Sequence, residues 1–137
     1  MIRATALSLA ASALAAALPA HAHHSFAAEY DASKPITLTG TVTKVEWTNQ
    51  HIFIHMDVPA ERTGTVVSWT LEMGGPNSLL RLGWKRDSLK VGDLVTVEGS
   101  LAKNGGPLVN AKSIVMAATG ERMLGGSSGA TTATEER

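Results

Sequence analysis

The chain has 137 residues in which 12 basic and 12 acidic side chains balance, so it carries no basic field to recruit nucleic acid or anionic lipid. It has no cysteine, which excludes disulfides, thiol chemistry and cysteine-type zinc sites and leaves stability to a packed core. The length suits one ordinary domain, large enough to build such a core.

The first stretch reads as an export signal. Arg3 supplies a positive n-region, Ala4 to Leu18 is a small or apolar run broken only by Thr5, Ser8 and Ser12, and Ala20-His21-Ala22 fits a small-x-small cleavage pattern. A membrane-spanning helix needs about 20 apolar residues. This run is shorter and stops at Pro19, so residues 1–22 are expected to be a cleaved signal peptide, with no membrane span left afterwards and the periplasm as the working compartment.

Residues 23–35 are expected to form an N-terminal arm, His23-His24-Ser25-Phe26-Ala27-Ala28-Glu29-Tyr30-Asp31 followed by the extended Lys34-Pro35. From Ile36 the chain alternates as a strand, with Ile36, Leu38, Gly40 and Val42 on one face and threonines on the other. The phase then flips to Val45 and Trp47, which predicts a bulge or sharp coil near Thr43-Lys44. Thr48-Asn49-Gln50 reads as a turn. A second strand alternates Ile52, Ile54, Met56 and Val58 inward against His51, Phe53, His55 and Asp57 outward.

Pro59 to Gly64 closes a hairpin onto a third strand, with Thr65, Val67, Trp69, Leu71 and Met73 on one face and Glu72 outward. Gly74 to Gly83 predicts a short helix with proline in its first turn and glycine as its stop. Leu94–Leu101 reads as a fourth strand, Lys103–Pro107 as a hairpin turn, and Leu108–Ala117 as a fifth strand whose phase conflicts, Val109 and Ala111 against Ile114 and Met116. Three strands, a helix and two strands, with a bent first strand, is the order of an all-β, five-stranded OB-like barrel over residues 36–118. An open sandwich of the same strands is the rival arrangement. Residues 119–137, rich in glycine, serine and threonine, offer nothing to bury and are expected to be a disordered tail.

Several residues together carry a resemblance: His24-Ser25-Phe26, Tyr30-Asp31, Lys34-Pro35, Gly40-Thr41-Val42, Trp47-Thr48-Asn49 with His51, Trp69 with Glu72, Pro76-Asn77 with Leu79, Gly83-Trp84, and Leu89 with Gly92-Asp93. The set resembles a family of small exported bacterial proteins known as domain of unknown function 6152. The resemblance implies export and one compact β-rich domain, and no activity. Where that family typically reads asparagine-proline-histidine, this chain has Asn49-Gln50-His51, which frees φ at position 50.

Four of the five histidines follow the predicted cleavage point. If the mature chain begins at His23, its α-amine and ring can chelate one ion, a pairing that suits copper(II), with zinc as the other candidate, and His24 or His51 can complete the site. A structural imidazole that bonds a turn amide is the competing reading of His51. His51 and His55 share a face but sit about 13 Å apart along a strand, so they cannot ligate one ion together. An aromatic platform for an oligosaccharide or peptide is the second candidate site, built from Trp47, Asn49 and Phe53. Gly74-Gly75-Pro76 offers a weaker anion site at the helix start. No serine stands in a nucleophile frame, so a binding protein, or a docking module for an envelope partner, is expected rather than an enzyme.

Overall fold

The computed structural model describes residues 26–127, so the signal stretch, His23, His24 and residues 128–137 lie outside the described residues. A single helical turn, α1 (Phe26–Glu29), leads into the long β1 (Tyr30–Trp47), followed by β2 (Ile52–Pro59), β3 (Val66–Glu72), α2 (Pro76–Arg81), β4 (Leu94–Ala102), β5 (Leu108–Met116) and the short β6 (Arg122–Leu124). The strands form one sheet in the order β3-β2-β1-β4-β5-β6. Its neighbours are antiparallel, and β3 makes an additional parallel pairing with β5 over Thr70 to Glu72.

Both irregularities of the alternation are bulges. The β1–β2 register shifts between Val42 and Lys44, which keeps Val42 buried and returns Val45 and Trp47 to the same packed side. On β5, Gly99 of β4 pairs with Ala111 while its neighbour Glu98 pairs with Ser113. Lys112 is the extra residue, and skipping it lets Val109, Ala111 and Ile114 all point into the core despite their conflicting spacing.

Ile52, Ile54 and Met56 of β2 meet Leu71, Val95, Val97, Val109 and Ile114 in that core, each no more than 1% exposed. Leu79 of α2 and Trp84 belong to the same cluster, and the Trp84 indole N–H donates to the Leu124 carbonyl at 2.9 Å. Pro76 stands at the start of α2 and Gly83, at φ +92°, just past its end, as the sequence pattern requires.

Two expected boundaries move. The strand begins at Tyr30 rather than Ile36, because Tyr30 pairs with Ala102 and Pro35 resumes the ladder opposite Ser100. Nor does ordered structure stop at residue 118. β6 pairs with Ser113 to Val115, and Ser127 is buried with its hydroxyl 2.6 Å from Asn110 Oδ1. What this segment buries is backbone. A Cβ on Gly125 would lie 1.9 Å from the Ala111 carbonyl oxygen, so only glycine permits the approach. Among the described residues no helix is long and apolar enough to cross a membrane.

Candidate functional site

The turn between β1 and β2 sets the geometry of His51. Thr48 donates its hydroxyl to the His51 carbonyl at 2.7 Å, and Gln50 sits at φ +76°, a left-handed conformation that proline cannot adopt. The departure at position 50 therefore matters structurally: an Asn-Pro-His turn would need a different backbone path from this one.

His51 Nδ1 lies 2.9 Å from the carbonyl oxygen of Met73 and 3.4 Å from Glu72 Oε1. A carbonyl can only accept, so Nδ1 carries the proton and, in the neutral ring, the lone pair belongs to Nε2. The side chain is 40% exposed, which leaves that nitrogen within reach of a ligand. A main-chain carbonyl that fixes the tautomer from behind is the usual support of a metal-binding imidazole. The same bond serves equally well for a purely structural ring, and its partner is this carbonyl rather than a turn amide.

Glu72, expected to be solvated, is instead the centre of a polar chain. Its side chain is only 13% exposed, and its Oε2 accepts the Tyr30 hydroxyl at 2.6 Å. Burial, reinforced by this hydrogen bond, raises the Tyr30 hydroxyl well above its ordinary range, so it remains a donor. The Phe26 ring stacks on Tyr30 with centroids 5.7 Å apart. One ring stack and two polar contacts thus connect the first described residue to His51. His24 stands two residues before Phe26, an extended reach of about 7 Å.

His55 belongs to a separate group. Its Nε2 is 2.8 Å from Glu46 Oε2 and its Nδ1 is 3.3 Å from the Thr70 hydroxyl, so both ring nitrogens are engaged. Lys44, and then His55, hold the Glu46 carboxyl below the usual carboxylate range. Phe53 lies between the two groups, opposite Glu46 on β1 and Glu72 on β3, with its ring 6.4 Å from that of His51.

The residues expected to form an aromatic platform are not gathered into one. Trp47 pairs with Ile52 and packs on the core side, with the Arg86 guanidinium 5.9 Å from its ring centre, whereas Phe53 is on the outer face and Asn49 is exposed in the turn. At the start of α2, the Gly74 N–H is already taken by the Gly125 carbonyl at 2.7 Å, which removes a donor from the anion site suggested there. Among the described residues no three histidine, aspartate or glutamate side chains converge as a ready-made metal cluster. The unexpected members are Glu72 and Tyr30. Counting the β2–β3 register back from the hairpin would have placed Glu72 opposite Phe53, but no local pattern points to Tyr30.

Residues 11–109 match the model of a family described as a family of unknown function, DUF6152. No curated protein matches the chain. Among solved structures it is similar to the mitochondrial single-stranded DNA-binding protein Rim1 of S. cerevisiae, at 14% identity and a TM-score of 0.48, over 61% of this chain and 93% of that one. A second similarity, at 25% identity and a TM-score of 0.41, is to a ZRD-deleted mutant of TiaS in complex with agmatine, over 60% of this chain and 21% of that chain.

Proposed function

For a chain that belongs to the DUF6152 family, whose function is unknown, we propose an exported, periplasmic binding protein that takes a copper or zinc ion at the His51 corner of an OB-like barrel. Support for the barrel is the parallel β3–β5 pairing, which joins the two ends of the β3-β2-β1-β4-β5 run. The observation that carries the metal reading is the tautomer of His51: Nδ1–H is committed to Met73, which leaves the lone pair on Nε2 of a side chain that is 40% exposed.

The other donors in this reading are the α-amine and ring of His23 and the ring of His24, which precede a helical turn anchored through Phe26 and Tyr30 to Glu72. Glu72 lies on the Nδ1 side of His51, so its part is to orient the ring and not to ligate. The mixed amine and imidazole donor set is suited to copper(II) and tolerable to zinc.

The test uses protein that begins at His23, titrated with copper(II) or zinc by calorimetry, with copper also followed by electron paramagnetic resonance. Nitrogen hyperfine structure and roughly tenfold or greater weakening in His24→Ala and His51→Ala are expected. His51→Asn separates the two roles of the ring, since its amide can still donate to Met73 while Nε2 is gone. Binding that is unchanged in all three variants would sink the site. An alternative reading, a binder of oligosaccharide or peptide, rests on the partly exposed Phe53 beside His51; it predicts a fluorescence response to cell-wall oligosaccharides and none to metal.

A further inference from the structure

A second feature lies away from His51, where β1 parts from β2. The Val42 N–H donates to Asp93 and the Val42 carbonyl accepts from Gly92, so even-numbered residues of this part of β1 turn their backbone groups toward β4. Thr37, Thr39 and Thr41 turn theirs the other way. Thr41 meets Asp57 of β2, and in the same register Thr39 would meet Pro59. Proline has no N–H to give, and the β1–β2 pairing stops at Thr41.

Beyond that point the β2–β3 hairpin and β1 form the walls of a groove of about 670 Å³. Leu38, Val58, Val67 and Trp69 supply its apolar lining, and Glu61 is the one charged residue on its wall. Along the β1 side run the backbone N–H and C=O groups of Thr37 and Thr39, about 7 Å apart and without a strand partner on that edge among the described residues.

We propose that this groove binds an extended, uncharged or basic peptide segment of a partner protein, which adds as a strand to the Thr37–Thr39 edge of β1 and sets alternate apolar side chains against Leu38, Val67 and Trp69. Edge groups at two-residue spacing beside pockets for alternate side chains are the two requirements of strand addition. The lone carboxylate of Glu61 disfavours an acidic segment. A sugar stacked on the indole would leave the Thr37 and Thr39 groups unused.

The experiment takes protein that begins at His23, labelled with nitrogen-15, and adds the capped peptide Lys-Val-Thr-Val-Thr-Val together with two forms of it, each N-methylated at one alternate set of amides. Saturable amide shifts at Thr37 and Thr39 and at the Trp69 indole are expected, with a Kd of about 1 mM or tighter. One of the two methylated forms should bind roughly tenfold more weakly, because it lacks the donors that face β1. Val67→Lys, at a position already 38% exposed and so tolerant of a charge, should weaken the parent peptide by a similar factor. Absence of shifts at Thr37 and Thr39, or equal binding of both methylated forms and the parent, would overturn the proposal. So would light scattering that shows a dimer in which the same residues are already covered by a second copy.

Discussion

Replacing Tyr30 by phenylalanine is the sharpest probe of the polar chain behind His51, because the change removes one oxygen and leaves the ring stack and the burial in place. The lost bond is a 2.6 Å phenol–carboxylate contact at a residue 2% exposed. Hydrogen bonds to charged groups contribute about 1.5–3 kcal/mol net. For a domain of this size a loss near 2 kcal/mol lowers Tm by roughly 10 °C. The pH dependence gives an independent check. Burial first, and the Glu72 bond second, raise the folded-state pKa of this hydroxyl. The folded protein therefore keeps a proton that the unfolded chain releases near pH 10, and stability present below about pH 10 is lost as the pH climbs above it. Tyr30 is the single tyrosine of the chain, so tyrosinate absorbance follows this group alone. Urea unfolding between pH 7 and 11 should show a steeper alkaline decline for the parent protein than for Tyr30→Phe. A Tm loss under about 2 °C together with parallel alkaline curves would refute the account of this bond.

Gln50 pays for its left-handed backbone, so Gln50→Gly should raise stability by up to about 1 kcal/mol, whereas Gln50→Pro, locked near φ −65°, should cost about 2–3 kcal/mol; chemical denaturation of the pair checks both signs. Gly125→Ala should push the last described segment off β5, because its Cβ would sit 1.9 Å from the Ala111 carbonyl oxygen. Hydrogen exchange at Ile114, which pairs with Met123, and at Met116, whose N–H donates to the Glu121 carbonyl, should rise selectively, and unchanged protection there would show that the backbone contact is not what holds β6.

Much of the fold is legible in the sequence because its elements announce themselves over short distances. The flip of phase after Val42 predicts the bulge that the register shows between Val42 and Lys44, since only an extra residue keeps a two-residue period facing one side. Pro76 and Gly83 bracket α2 for equally local reasons. The conflict of phase in β5 is also visible as a conflict, and needs only the neighbouring strand to locate it at Lys112. Less legible is the segment after Gly120. Its glycines suggest disorder by composition, yet they pack because absence of a side chain is what lets backbone meet backbone at Ala111 and at Gly74.

The site is harder to read for a different reason, which is sequence separation. His51 and Phe53 are neighbours on one strand face and could be singled out, but the groups that decide their chemistry come from 22 residues away at Met73 and, through Glu72, from Tyr30, 42 residues from that carboxylate. Histidine spacing alone treats His51 and His55 alike. The contacts separate them, since His55 spends both nitrogens on Glu46 and Thr70 while the Met73 carbonyl occupies only one nitrogen of His51. Pro59 makes the same point for the groove. As a residue it marks the end of a strand, but its effect on the sheet depends on which way its missing N–H would have pointed. That direction is fixed by the pairing of Thr41 with Asp57, and it turns a hairpin signal into the break that leaves Thr37 and Thr39 open.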